Sequence, residues 1–219
     1  MTITPPDDPF NPLDKVNLGR SVADALLESK VRPLAETSQL VGAGVYALYY
    51  TGSFQPYAPI ATANASRRFR QPIYVGKAIP KGGRKGGLTA DARTGRALRD
   101  RLNQHAATIN EAENLQLADF QYRSLVVDDI WIPLGENMLI ELYQPIWNKL
   151  IDGFGNKTPG RGRVGQARSP WDVLHPGRSF VRNLNLGPGV LTRAQIIQRL
   201  EAVYHGAMPT PIGGGEEES

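Results

Sequence analysis

The sequence predicts an α+β fold: a small, mainly antiparallel sheet flanked by helices, with basic loops inserted into it and extensions at both ends. Three observations carry this. "VGAGVYALYY" and "RQPIYVGKA" are β-rich runs one loop apart, and "ADFQYRSLVV" alternates as a third. "GRALRDRLNQHAATI" and "PLGENMLIELYQPIWN" repeat apolar residues near the helical period. The chain has 219 residues, 41% of them hydrophobic, enough for one sizeable core with elaborations.

In order, residues 1–19 are rich in Pro and Asp and read as a loose arm, without the regions of a signal peptide. "SVADALLESKV" reads as a short helix from a Ser21 cap, with Val22, Ala25, Leu26 and Val31 on one side. Gly42 and Gly44 lead into a strand whose Tyr46, Leu48 and Tyr50 face one way and Val45, Ala47 and Tyr49 the other. Residues 51–71 form a long loop ending in "SRRFRQ", and "PIYVGKA" is the second strand. After the cationic "KAIPKGGRKGG" comes a helix with Leu98, Leu102 and Ile109 in its stripe and Arg101 and His105 on the flank. The third strand and a second helix, closed before Pro145, complete a β-β-α-β-α core over roughly 41–152. "DGFGNKTPGRGRVGQARSPWDVLHPGR" is too rich in Gly, Pro and Arg for core. "TRAQIIQRLEAVY" is a last helix with Ile196, Ile197, Leu200 and Val203 inward, and "GGGEEES" is a disordered acidic tail.

Charge is unevenly placed. Residues 41–110 carry eleven Lys/Arg against two Asp, and residues 153–193 carry seven Lys/Arg against one Asp. The stretch between them, 111–152, reverses sign with eight acids against two bases. Two basic blocks around an acidic centre suit a polyanion partner and carboxylates able to hold a cation, although a generic basic surface would also show them. With zero Cys there is no disulfide, thiol nucleophile or cysteine zinc site. No apolar run approaches the ~20 residues of a membrane helix, which points with the other features to the cytoplasm.

Tyr46 and Tyr74 sit at matching places beside glycine in two neighbouring strands, either as aromatic cross-strand packing or as two phenols lining one site. Glu136 shares a helical face with Leu139, Ile140 and Tyr143, while Glu141 falls on the wet side. A carboxylate on an apolar face is costly unless paired or metal-bound, though one near a helix N-terminus is also favoured by the dipole. Arg101 and His105 are i,i+4 neighbours, and Asn148 follows "PIW", where it could cap a turn or orient a neighbour. Other hydrolases fit poorly. Pro6–Asp7 with Glu28 and Lys30 matches a PD-(D/E)xK pattern only formally, since one part is in the arm and the other on a helix. His105, His175 and His205 lack paired metal spacing, and "KGGRKGG" lacks the ending of a phosphate loop.

"GVY", "YVG", an Arg-x-x-x-His helix, a helical Glu and a downstream Asn, in that order, resemble the GIY-YIG nuclease superfamily, with Val45 and Val75 replacing the usual isoleucines. "GAGVYALYYTG", "PIYVGKA", "P-W-N", "DGFGN-TPG-GR" and "WDV-HPGR" resemble more closely a group of type II restriction endonucleases within it, over roughly residues 42–178. The resemblance implies Tyr46, Tyr74, Arg101, His105, Glu136 and Asn148 as the catalytic site. Tyr46 would be general base toward water, with His105, titrating near neutrality, taking its proton. Arg101 would bind the phosphate, Tyr74 would hydrogen-bond the phosphate or the water, Glu136 would hold one Mg²⁺, and Asn148 would position the site.

The implied division is an N-terminal arm and helix (1–40), a GIY-YIG catalytic core (41–152), a basic DNA-contacting extension with the last helix (153–205) and the tail (206–219). Double-stranded DNA would meet the basic insertions through Arg67, Arg68, Arg70, Lys77, Lys81, Arg84, Lys85, Arg161, Arg163 and Arg168. The expected enzyme is a homodimer cutting both strands of a palindromic, GC-rich site, paired in function with a cognate DNA methyltransferase. The helices at 20–31 and 192–204 would serve as its interface elements or as braces. A catalytically idle DNA-binding module, or a repair or homing nuclease of the same superfamily, are the alternatives.

Overall fold

One antiparallel sheet in the order β1-β4-β2-β3 organises the molecule, formed by β1 (Arg32–Pro33), β2 (Gly44–Tyr50), β3 (Tyr74–Ala78) and β4 (Phe120–Val126). The computed structural model describes residues 13–79, 94–155 and 164–209. Lys81, Arg84, Lys85, Arg161 and Arg163, the start of the arm and the tail from residue 210 lie outside the described residues.

β2 runs through the middle and all seven of its residues are buried, because both faces of the sheet are covered. The expected alternation holds. Val45, Ala47 and Tyr49 pack with Val75 under α1 (Lys15–Glu28) and α4 (Ile132–Tyr143), through Ala23, Leu26, Ile132 and Leu139. Tyr46, Leu48 and Tyr50 meet Phe120, Tyr122 and Trp147 on the other face. There α3 (Ala97–Glu111), α5 (Ile146–Lys149), α6 (Pro170–Leu174) and α8 (Arg193–Tyr204) close the layer, with the short α7 (Ser179–Asn183) between the last two in the chain. The α+β expectation is the observed class. Among the described residues no helix is long and apolar enough to cross a membrane.

Four local readings are corrected. The first helix starts at Lys15, with the Asp14 side chain accepting from the Val16 N–H at 2.8 Å, so Ser21 lies inside it. Its Asn17 and Gly19 are weak helix formers, and packing on α4 overrides their propensity. Its inward positions are Gly19, Ala23 and Leu26, while Ala25 is exposed. Residues 51–71 are not a bare loop: α2 (Ala58–Asn64) sits there, pinned by buried Tyr57 and Ile60. Finally, the Gly/Pro/Arg-rich stretch after residue 152 does enter the core. Phe154, Trp171 and Leu174 are buried, and these few large apolar side chains carry the burial that the average composition hides. α1 and α8 brace their own core, as the second of the two expected roles had it, with Ile196 and Leu200 of α8 fully buried.

Candidate active site

In the register of β2 with β3, Tyr46 faces Gly76 and Tyr74 faces Leu48. The two tyrosines are therefore diagonal neighbours on one face rather than directly matched, with ring centroids 6.3 Å apart. Gly76 makes the room. A Cβ at that position would lie 2.6 Å from Cζ of Tyr46, closer still to its hydroxyl, and 2.9 Å from a Tyr74 ring carbon. The third residue of "YVG" is thus a space requirement set by the first tyrosine.

α3 crosses this face and brings His105 inward, where the sequence placed it on the flank; it is buried, with Nε2 2.7 Å from the Tyr46 hydroxyl. Burial, and then the neighbouring Tyr74, hold the Tyr46 phenol well above its ordinary pKa. Burial, and then the charge of Arg101, hold the His105 imidazole well below its own. The phenol therefore keeps its proton, and in the tautomer that leaves Nε2 without a hydrogen it donates to the neutral imidazole. This corrects the expectation that His105 titrates near neutrality: burial keeps the ring neutral, so that Nε2 can accept. Arg101, one turn earlier, lies close enough to both phenols for their charges to act on one another. Burial pulls its pKa down, but the two tyrosines outweigh that and raise it.

A wall that the sequence motifs did not nominate completes the pocket. Phe154 stacks on His105 at 4.6 Å and 14°, and meets Tyr74 edge-on at 5.1 Å. Arg101 Nη2 donates to the Gly155 carbonyl at 2.9 Å. A Cβ on Gly155 would approach the Tyr74 hydroxyl to 2.6 Å, so only glycine lets this turn come so near. Arg178 pins the turn by donating to the Gly153 carbonyl at 2.9 Å, while it grips the Asp172 carboxylate at 2.6 and 2.7 Å. Arg101, His105, Phe154 and Arg178 line a groove of about 380 Å³ along α3. The signal for this wall was present in "DGFGN" and "WDV-HPGR", motifs without an evident chemical role.

Asn148 turns out to be a strand partner. Its Oδ1 accepts from the Val75 N–H and its Nδ2 donates to the Val75 carbonyl, both at 2.8 Å. It satisfies the outer edge of β3 at the residue between Tyr74 and Gly76, and so fixes the strand that carries both. Glu136 comes from α4, on the other face of the sheet. Its side chain is 13% exposed and pairs with Lys77 Nζ at 2.5 Å. By strand alternation Lys77 leaves β3 on the side opposite Tyr74, so the site straddles the edge strand. Glu136 is still close enough that its charge contributes to raising both phenols. Glu141 is exposed, as expected, and meets Lys149 at 3.6 Å.

The described residues hold no group of three or more His, Cys, Asp or Glu suited to a metal. Mg²⁺ does not need one: it takes one or two carboxylates and completes its shell with waters and substrate phosphate oxygens. Glu136 fits this use, and the ammonium resting on it shows that its carboxylate can receive a cation.

The family model of the Eco29kI GIY-YIG domain matches residues 38–203. The chain belongs to this family. It is a GIY-YIG family of type II restriction endonucleases, so the chain is a restriction-type nuclease and its substrate is DNA. A comparison with curated proteins gives no match.

For a chain of the Eco29kI GIY-YIG family, the expected DNA contacts among the described residues divide into two sets. Arg67, Arg68 and Arg70 are exposed on a turn in which Ser66, Arg67 and Phe69 have φ of 55°, 59° and 42°. Buried Asn64 holds that turn from behind, accepting from the Gln71 N–H at 2.9 Å and donating to the Tyr50 and Gln71 carbonyls. Arg123 donates to the Phe69 carbonyl at 3.2 Å. Arg168 is also exposed. Lys77 is the exception, since its ammonium lies on Glu136 rather than among the free cations.

Proposed function

We propose that this protein is a Mg²⁺-dependent type II restriction endonuclease that hydrolyses a phosphodiester in each strand of a specific DNA site. The observation that carries the reading is the buried 2.7 Å contact between the Tyr46 hydroxyl and a neutral His105, with Arg101 beside both phenols. Hydrolysis needs a base for water, a clamp on the phosphorane charge and help for the departing oxygen. Tyr46 takes the water proton as its own proton moves to His105 Nε2, so no free phenolate has to form in a buried site. Arg101 carries the fixed positive charge that the non-bridging oxygens require, and Tyr74 donates to the same phosphate. Glu136 holds the Mg²⁺, which supplies Lewis-acid stabilisation of the leaving 3′ oxygen. Asn148 keeps β3, and with it Tyr74, in register.

One such site breaks one strand, so we assign cutting of both strands to a two-fold homodimer on a palindromic target. Arg67, Arg68, Arg70 and Arg168 contact that DNA, and a cognate methyltransferase protects the host's copies of the site. Incubating plasmid with the protein and Mg²⁺ tests the reading. Discrete fragments, abolished in Glu136→Gln and in Tyr46→Phe, support the enzyme. A mobility shift without cleavage in the wild type would leave an idle DNA-binding module.

A further inference from the structure

Lys77 follows Gly76 directly and is held on an edge strand that pairs with β2 on one side and meets Asn148 on the other. Its Cα is therefore fixed, but its side chain is 38% exposed and has four flexible methylenes. Its Nζ lies 2.5 Å from Glu136 Oε2, and the Glu136 side chain is 13% exposed. A carboxylate this enclosed needs a positive partner, since leaving it unpaired is strongly unfavourable. The same carboxylate is the one assigned above to a divalent cation. An ammonium and a divalent cation on this one carboxylate oppose each other, because like charges within a few ångströms repel.

We propose that Lys77 is an exchangeable counter-ion of Glu136. It neutralises the carboxylate in the free protein, leaves it when a divalent cation arrives, and then places its ammonium on a backbone phosphate flanking the scissile bond. The proposal rests on the nuclease reading above. It makes metal and DNA binding mutually reinforcing: a phosphate draws Lys77 off Glu136 and opens the carboxylate, while the metal frees Lys77 for the phosphate. By linkage each ligand must raise the affinity of the other by the same factor. The free enzyme therefore loads metal poorly and acquires it together with DNA, an arrangement in which Lys77 sets the order of assembly.

The test reads Mg²⁺ binding rather than cleavage. Isothermal titration of the full chain with Mg²⁺ alone should show Lys77→Gln binding about tenfold more tightly than wild type, as expected for removal of a competing unit charge. Lys77→Arg should stay near wild type. On the wild type, ¹⁵N spectra of lysine side chains should show the Lys77 Nζ resonance leaving its paired position as Mg²⁺ saturates. An unchanged or weaker Mg²⁺ affinity in Lys77→Gln, with Glu136→Gln abolishing binding, overturns the exchange while sparing the function. So does an Nζ resonance unmoved at saturation, which needs no variant to fold. Unchanged Mg²⁺ affinity in Glu136→Gln overturns the metal assignment and the exchange with it.

Discussion

Replacing Gly76 by alanine should damage the site directly. The added Cβ would stand 2.6 Å from Cζ of Tyr46, closer still to its hydroxyl, and 2.9 Å from Tyr74. Ordinary carbon contacts begin near 3.4 Å, so something must give by about 1 Å. The strands cannot part easily, since β3 is paired with β2 over five residues and is tied to Asn148 outside. The tyrosine ring must therefore move. A shift of about 1 Å stretches its 2.7 Å contact with His105 beyond hydrogen-bonding range. Overpacking costs about 1–3 kcal/mol, and a buried polar group left without its partner costs about as much again. For a chain of this size a loss of about 3 kcal/mol lowers Tm by roughly 6–12 °C. The chemical step should fall further, about a hundredfold, as it does when a reacting group is misplaced by 1 Å. Thermal unfolding by circular dichroism and single-turnover cleavage of plasmid in Mg²⁺ measure the two effects. Adding Tyr46→Phe removes the oxygen nearest the new methyl, so the double variant should be less destabilised than the sum of the singles. A Gly76→Ala protein with unchanged Tm and a rate within about threefold of wild type would refute the steric argument.

Tyr46→Phe keeps the ring and should fold, yet lose single-turnover cleavage by about 100-fold or more; near wild-type turnover would remove the phenol from the mechanism. Tyr57→Phe should do the opposite, lowering stability by about 2–5 kcal/mol because the Trp147 N–H and His175 Nε2 are left without their partner, while the single-turnover rate of the folded fraction stays unchanged. Burial lowers the pKa of His105, and that of His175 to about 3, so the folded protein refuses protons that the unfolded chain accepts below about pH 6.5. Stability is therefore complete above that pH and falls on acidification, by about 2 kcal/mol for His175 between pH 7 and pH 5 and in the same direction for His105; urea midpoints that do not move over this range would contradict the neutral pair. Arg67, Arg68 and Arg70 changed together to Gln should weaken DNA binding and reduce the slope of log affinity against log salt by about 0.9 for each phosphate no longer neutralised. An unchanged slope with relaxed site preference would assign them to bases instead.

The strands and the two core helices were legible because their periods are regular: alternation along Val45–Tyr50 and the helical spacing of Leu98, Leu102 and Ile109 survive in the structure. The grouping of Tyr46, Tyr74, Arg101 and His105 was legible too, through ordered motifs. The offset of the two tyrosines was not, because register is set by hydrogen bonding between strands and a motif carries no register. Nor was the burial of His105, whose ring is covered by Phe154 from a segment 49 residues later. That segment read as outside the core because it is rich in Gly, Pro and Arg. In the structure the glycines allow close approach to Tyr74, and Arg178 holds the turn down, so both residue types serve packing.

The core contains a second tyrosine–histidine pair that separates what makes such a pair reactive from what merely makes it stable. Tyr57 and His175 are as deeply buried as Tyr46 and His105, and their contact is 2.6 Å. Burial raises that phenol and lowers that imidazole in the same directions. Yet every polar atom of the pair is spoken for. The Tyr57 hydroxyl accepts from Trp147 at 2.8 Å, His175 Nδ1 meets Asn114 Oδ1 at 2.9 Å, and Asn114 ends the chain on the Leu174 carbonyl. Tyr46 instead has Arg101 beside it, and His105 and Arg101 both line the groove along α3. A proton can pass from phenol to imidazole only if a new charge nearby rewards the transfer, and the first pair has Arg101 on the groove to hold a phosphate there, whereas Arg178, near His175, is already held by Asp172. The reactivity we assign to Tyr46 thus lies in Arg101 and in the opening beside it, while the hydrogen bond to His105 supplies direction.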